Sequence, residues 1–113
     1  MDCIFCKIVE GTLPSEKVYE NEHVLAFKDI SPQAKVHVLV IPKKHIPTMN
    51  DVTEEDGPII AEIHKAIQQI AKEAGIAESG YRIINNCLDD GGQVVYHLHY
   101  HLLGGEKLGP LNA

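Results

Sequence analysis

Three of the seven histidines in this 113-residue chain, His97, His99 and His101, alternate with Leu98, Tyr100 and Leu102. Imidazole can act near neutral pH as nucleophile, acid, base or metal ligand, so a row of three is a chemically capable pattern. Alternation with apolar residues predicts a half-buried β-strand. Successive strand side chains point to opposite faces, which sends Leu98, Tyr100 and Leu102 into a core and the histidines to the other side. At about 3.3 Å per residue, neighbouring rings lie roughly 6–7 Å apart and the outer pair ~13 Å apart at the backbone. The outer rings are poorly placed to converge on one ion with Zn–N distances of about 2.0–2.1 Å. Nucleophilic catalysis by the middle ring, with its neighbours as orienter and proton donor, suits the spacing better than a three-histidine metal centre.

The preceding loop, Asp89-Asp90-Gly91-Gly92-Gln93, has two readings. Two glycines permit positive φ and exposed N–H groups, which is the composition of an anion nest with Gln93 as an added neutral donor. An ordinary hairpin turn has the same composition. His37 sits on an apolar stretch with Val36 and Val38 pointing the other way. It is either a satisfied core histidine or, if its strand lies beside the histidine strand, a contact of the row. Cys3-Ile4-Phe5-Cys6 is a C-x-x-C that is redox-active, metal-binding or inert. No βαβ context of the thioredoxin kind surrounds it, and zinc there needs two histidines from elsewhere, with His45 and His97 as candidates. Cys87 reads as a spare thiol. His23 carries no signal, and His64 borders the apolar stripe of a helix as a structural residue. The acids from Asp51 to Asp56 read as helix caps rather than a metal site.

The supporting elements follow from the same patterns. A short helix is predicted over residues 2–10, with Gly11 as its stop. Strands are predicted over 17–20, 23–27 and 36–41, the last ended by Pro42, with a proline-fixed loop over 29–34. Thr53 to Asp56 has the form of a capping box, and Pro58 places the helix start near Gly57. Ile60, Ile63, Ile67, Ile70 and Ala74 keep helical spacing, and Gly75 is the expected C′ stop. Strands over 80–86 and 94–103 complete an α-β-β-β-α-β-β order. Short links between strands make this one α+β domain over 1–113 with an antiparallel sheet. A net charge of −6 argues against a general nucleic-acid binder, which needs a basic face. No apolar run reaches the ~18–20 residues of a membrane span. Three cysteines without a legible secretory signal point to a reducing, cytoplasmic setting.

His97-Leu98-His99-Tyr100-His101-Leu102-Leu103 matches the pattern His-φ-His-φ-His-φ-φ, with φ hydrophobic, and resembles the histidine triad (HIT) family. Ile4 to Ile8, Leu25 to Phe27, Asp29 to Ala34, Leu39 to His45, Gly91 to Gln93 and Leu103 to Gly105 resemble its Hint branch, in the same order along nearly the whole chain. The resemblance implies a five-stranded antiparallel sheet with one long and one short helix, in a homodimer whose two sheets run together. It implies a hydrolase of purine nucleoside phosphoramidates, such as AMP joined to an amine, working through a nucleotidyl-histidine. His99 would be the nucleophile, and His101 would contact phosphate and help protonate the amine. His97 would orient His99 through its backbone carbonyl, with His37 supporting the row. Asp29 would take the ribose hydroxyls. Phe5, Ile8, Phe27, Ile30 and Leu39 would form the base slot. Asn86, Gln93 and the backbone at Val94 and Val95 would hold phosphate. No cofactor is required for that chemistry. In relatives of the bacterial type, four positions that match Cys3, Cys6, His45 and His97 can hold a structural zinc. Val94 departs from the polar residue many relatives carry after Gly-Gly-Gln, and the tail from Glu106 departs from the animal type.

Overall fold

The computed structural model describes residues 3–111; Asp2 of the expected first helix and Asn112 and Ala113 of the tail lie outside the described residues. Five strands form one antiparallel sheet: β1 Lys17–Glu20, β2 Val24–Lys28, β3 Val36–Pro42, β4 Tyr81–Ile84 and β5 Tyr100–Gly104. Their spatial order is β1-β2-β3-β5-β4, so the two most apolar strands and the histidine strand are neighbours in the middle. Two helices, α1 Ile4–Glu10 and α2 Gly57–Glu73, complete the domain.

Strand alternation sorts the side chains into two layers. Val24 and Ala26 of β2, Val38 and Val40 of β3, and Tyr100 and Leu102 of β5 face α2, where they pack on Ile63, Ala66, Ile67 and Ile70. Leu25, Phe27, Leu39 and Ile41 face the other way and pack against Phe5 and Ile8 of α1. That second face also carries His37 and His101. The stripe of α2 is rotated slightly from expectation: Ala66 and Ala71 are buried, Ile60 is half-buried, and Ala74 and His64 are exposed. His64 therefore has no part in the core. Gly75 does follow the end of the helix, at φ +75°.

Two starts are built by caps. The Cys3 sulfur accepts the N–H of Cys6 at 3.3 Å and opens α1. Thr53 and Asp56 form a capping box on a 3-10 turn ahead of α2, and Lys44 Nζ reaches Asp56 Oδ1 at 2.6 Å. The acids at 51 and 56 thus serve as caps.

The histidine strand is shorter than the alternation predicts. It begins at Tyr100, and residues 94–99 lie outside any ladder. The reason sits on the neighbouring strand. β3 ends at Pro42, which has no N–H to donate, and the Pro42 carbonyl is taken by a histidine ring rather than by backbone. On the other side β4 ends at Ile84, and the side chain of Asn85 donates to the His99 carbonyl at 3.0 Å in place of a backbone partner. Pro42 itself is the last residue of β3, paired opposite Val24, so the proline does not end the strand before it.

Candidate functional site

β3 and β5 run side by side with His37 opposite Leu103 and Leu39 opposite His101. This register brings His37 to the row: its Nε2 lies 2.9 Å from His101 Nδ1. His99 and His101 stand with ring centroids 5.2 Å apart. His97 does not line up with them. It is fully buried, and its ring turns toward α1.

The proton on each ring follows from its partners. Pro42 O accepts from His97 Nε2 at 2.8 Å, so His97 Nδ1 carries a lone pair. The His97 carbonyl accepts from His99 Nδ1 at 2.7 Å, so His99 Nε2 carries a lone pair. The Gln33 backbone N–H donates to His37 Nδ1 at 2.9 Å, which places the His37 proton on Nε2. That proton points to His101 Nδ1, with Asp29 Oδ2 at 3.5 Å beside it. His101 is left with its proton on Nε2. The site therefore holds one bare nitrogen and one N–H on adjacent rings.

Burial, and then the neighbouring His99 and His37, push His101 down from 6.5 to about 4, against an opposing pull from Asp29. Burial also lowers His37, again opposed by Asp29. Both are neutral in the folded protein and charge freely when it unfolds. Their folded values lie below the unfolded ones, so their contribution to stability is complete above pH 6.5 and is lost as pH falls toward 4. The melting temperature is expected to fall between pH 7 and pH 5, and a His37→Asn, His101→Asn variant is expected to show a shallower fall. A wild-type melting curve independent of pH over that window would contradict this account of the pair.

His97 Nδ1 lies 3.3 Å from Cys3 Sγ, 3.5 Å from Cys6 Sγ and 3.3 Å from His45 Nδ1, and Cys6 Sγ lies 3.3 Å from His45 Nδ1. These four atoms form a tetrad of two thiols and two imidazoles. A zinc tetrahedron with Zn–N near 2.0–2.1 Å and Zn–S near 2.3 Å has N–N edges of about 3.3–3.4 Å and N–S edges of about 3.5–3.6 Å. The tetrad has the right donors and nearly those edges. The Pro42 carbonyl behind His97 is the outer partner that leaves its inner nitrogen bare. Asp29, His37 and His101 form a second close group, but the inner nitrogen of His37 carries a proton because Gln33 occupies the outer one. The first group fits zinc; the second is arranged to pass protons.

A pocket of about 370 Å³ over β2 and β3 is lined by Phe5, Ile8, Phe27, Asp29, Ile30 and Leu39, together with Ile4, Leu13, Pro14, Ser15, Glu16 and Lys28. The sequence reading singled out the first six and not the others. Phe5 also meets His99 edge-on, with centroids 5.1 Å apart at 88°. Ile30 is 98% exposed and forms a rim rather than a wall. Asp29 Oδ1 is held by the Ser31 N–H at 2.7 Å.

The glycine loop differs in detail from the expected nest. Gly92 takes φ +78°, but its N–H goes to Asp89 O and that of Gln93 to Leu88 O. Gly91 is required by close approach: a Cβ there would lie 2.5 Å from the Cys87 carbonyl. The Gln93 side chain is buried, donates to Pro47 O and Val95 O and accepts from Leu88 N–H, so it braces the loop instead of presenting its amide as a free donor. Among the described residues, the backbone N–H groups of Val94 and Val95, like those of neighbouring Asp90, Gly91, Tyr96 and His97, have no protein acceptor. The Val94 side chain is 87% exposed, and Val95 packs on the α1 core. Asn86 donates to Gly91 O at 2.7 Å and lines the space beside His101. Sequence patterns did not signal the roles of the Gln33 N–H and the Pro42 carbonyl, because backbone groups have no residue signature. The Asn85-Asn86 pair after β4 was a visible hint, of which only Asn86 was taken up.

Comparison with known proteins adds a consistent set of relatives. The HIT domain family profile matches residues 10–108. A curated relative, the purine nucleoside phosphoramidase of Escherichia coli K12, is 49% identical over 112 residues, covering 99% of this chain and 94% of that protein. A HIT family hydrolase from Legionella pneumophila superposes with a TM-score of 0.96 at 46% identity, covering 99% and 100% of the two chains. A histidine triad protein from Clostridium difficile superposes with a TM-score of 0.94 at 54% identity, covering 97% and 96%.

Proposed function

The chain belongs to the HIT domain family, and from that premise we propose that it hydrolyses purine nucleoside 5′-phosphoramidates to the nucleoside monophosphate and an amine. The observation that carries this reading is the pair of adjacent rings with opposite proton states, a bare Nε2 on His99 and an N–H on His101. In the first step the His99 Nε2 lone pair attacks phosphorus. The P–N bond breaks, its electrons stay on the amine nitrogen, and that nitrogen takes a proton as it leaves. Amines are poor leaving groups, so the proton is needed. In the free protein His101 is neutral. An anionic phosphoryl group beside it acts in the opposite sense, because negative charge favours imidazolium, so the acid is generated in the complex. His37 and Asp29 stand behind it as a proton path. Water then attacks the nucleotidyl-histidine, the P–N bond to His99 breaks, and the water proton returns to the histidine pair.

The pocket over β2 and β3 takes the purine between apolar side chains, and Asp29 at its edge accepts the ribose hydroxyls. The Val94 and Val95 N–H groups and Asn86 hold the phosphate, and no step needs a metal. The tetrad of Cys3, Cys6, His45 and His97 holds a structural zinc, which would supply a cross-link between α1 and the histidine segment. A homodimer forms through the free edge of β4, where Tyr81 and Ile83 are exposed at 36% and 45%. A content of three cysteines suits the reducing cytoplasm. No described helix is long and apolar enough to cross a membrane.

The test is incubation of an adenosine 5′-phosphoramidate with the protein, with and without EDTA, beside a diadenosine polyphosphate. AMP and free amine are expected from the phosphoramidate in both conditions, faster than any cleavage of the polyphosphate. No release of amine would overturn the reading, as would loss of release on EDTA treatment at saturating substrate in protein that remains folded.

A further inference from the structure

Residues 97–99 are held from both sides of the sheet, but unequally. On the β3 side the Leu98 N–H donates to Ile46 O at 2.6 Å, and the His97 ring donates to Pro42 O at 2.8 Å. On the β4 side, among the described residues, a single hydrogen bond reaches the segment: half-buried Asn85 donates from Nδ2 to the His99 carbonyl at 3.0 Å. A carbonyl oxygen only accepts, so the amide must turn its NH₂ group toward it.

Register shows what this bond replaces. Ile83 stands opposite Leu102 and Ile84 opposite His101. A continued β4 would set residue 86 opposite His99 and supply the next rung from its backbone. β4 instead ends at Ile84, and the Asn86 side chain donates to Gly91 O at 2.7 Å, on the loop that leads to Val94 and Val95. The ladder therefore opens where Asn86 serves the glycine loop, and the His99 carbonyl loses its backbone donor. Asn85 sits one residue before the missing rung, and its side chain spans the gap. A water molecule would satisfy the same carbonyl without tying it to the fold.

The His99 ring has its own contacts, Nδ1 on the His97 carbonyl at 2.7 Å and the edge of Phe5. The first of these joins two parts of one short segment, so it moves whenever the segment moves. Asn85 is an anchor outside that segment. It lines neither the purine slot nor the space beside His101, so its effect has to pass through the backbone of His99.

We propose that Asn85 is a positioning residue for the nucleophile: by holding the His99 carbonyl against the end of β4, its amide fixes the backbone from which the imidazole is aimed at phosphorus. This inference rests on the reading of His99 as nucleophile given above and deepens it. Displacement of a reacting atom by about 1 Å costs up to ~10²-fold in rate, and loss of one anchor among several is expected to cost about tenfold.

The experiment uses Asn85→Leu, which keeps the size and removes the donor, Asn85→Ala, which reports the same loss should leucine disturb the packing, and Asn85→Gln, which keeps the amide on a longer stem. Each is measured for kcat and KM on an adenosine 5′-phosphoramidate, for AMP affinity by calorimetry, and for solvent exchange of the His99 Nδ1 proton in ¹⁵N-labelled protein without substrate. That proton signal is identified by its loss in His99→Ala. In Asn85→Leu and Asn85→Ala, kcat is expected to fall about tenfold with KM and AMP affinity held within about twofold, the pattern of an interaction that acts on the reacting geometry alone. The Nδ1 proton should exchange faster than in the wild type, and Asn85→Gln should recover part of both losses. Unchanged kcat and exchange in a folded Asn85→Leu protein would overturn the inference. So would an equal loss of kcat and AMP affinity with Asn85→Gln no better than Asn85→Leu, because Asn85 would then only close the end of a strand. If the wild type turns over no phosphoramidate, the underlying reaction fails separately, and the proton exchange decides the role of Asn85 by itself.

Discussion

Replacing His99 by alanine is expected to lower phosphoramidate turnover by at least about 10³-fold, the scale on which a covalent nucleophile acts within a cooperating group. His99 Nδ1 is committed to the carbonyl of His97 at 2.7 Å, so the reactive lone pair is on Nε2 and no second tautomer competes. Neither neighbouring ring can substitute. His101 has its Nδ1 occupied by His37, and His97 points its bare nitrogen into the cysteine cluster. Rapid acid-free denaturation during turnover should trap a protein species heavier by one nucleotidyl group, absent from His99→Ala. The variant's fold should persist, since the ring is held mainly by one hydrogen bond and by the edge of Phe5. Turnover retained in a folded His99→Ala protein would end the covalent mechanism.

The second large effect concerns the tetrad. The native protein is expected to carry one zinc per chain, and the Cys3→Ser, Cys6→Ser variant to carry none. A ligand bound only to the folded state adds about 4 kcal/mol at a thousandfold excess over its dissociation constant. For a domain of this size, that corresponds to a loss of at least roughly 10 °C in melting temperature. Burial and the neighbouring Cys3 thiol push the metal-free Cys6 thiol up to about 11, so zinc must displace a firmly held proton and its affinity should fall in acid. The same helix and its N-cap carry two of the tetrad's residues, Cys6 and Cys3, and two walls of the purine slot, Phe5 and Ile8. Losing the metal should therefore weaken AMP binding, measured by titration calorimetry, more than it slows the bound substrate. Wild-type protein free of metal, with a melting temperature indifferent to zinc and EDTA, would refute the assignment.

Local periodicity was sufficient for much of the architecture. The alternation from His97 to Leu102 assigned Leu98, Tyr100 and Leu102 to the α2 core, where all three lie buried. Apolar spacing in α2, the Thr53–Asp56 cap and the order of elements along the chain were legible because each depends on neighbours a few residues away. Residue types named the chemistry as well: imidazoles in a row, a paired thiol motif and a carboxylate after a strand. Resemblance to a known family then attached roles to them.

What periodicity suggested and folding altered is equally specific. The alternation implied one strand with all three rings on a single face. The structure starts the strand at Tyr100 and sends His97 to the cysteines, because Pro42 on β3 interrupts the ladder and offers its carbonyl to a ring. Gln93 looked like a phosphate donor, but its amide is spent on Pro47 O and Val95 O.

By itself, then, the sequence determined which side chains are available and which face of an element each occupies, since both follow from residue chemistry and the short-range period of helix or strand. Only the tertiary structure decided that Cys3, Cys6, His45 and His97 meet, that His37 touches His101, and which nitrogen of each ring is bare. Those outcomes depend on backbone carbonyls and N–H groups brought from distant positions, Pro42 to His97 and β3 to β5. Every residue but proline carries both groups, so their placement leaves no mark in the order of side chains.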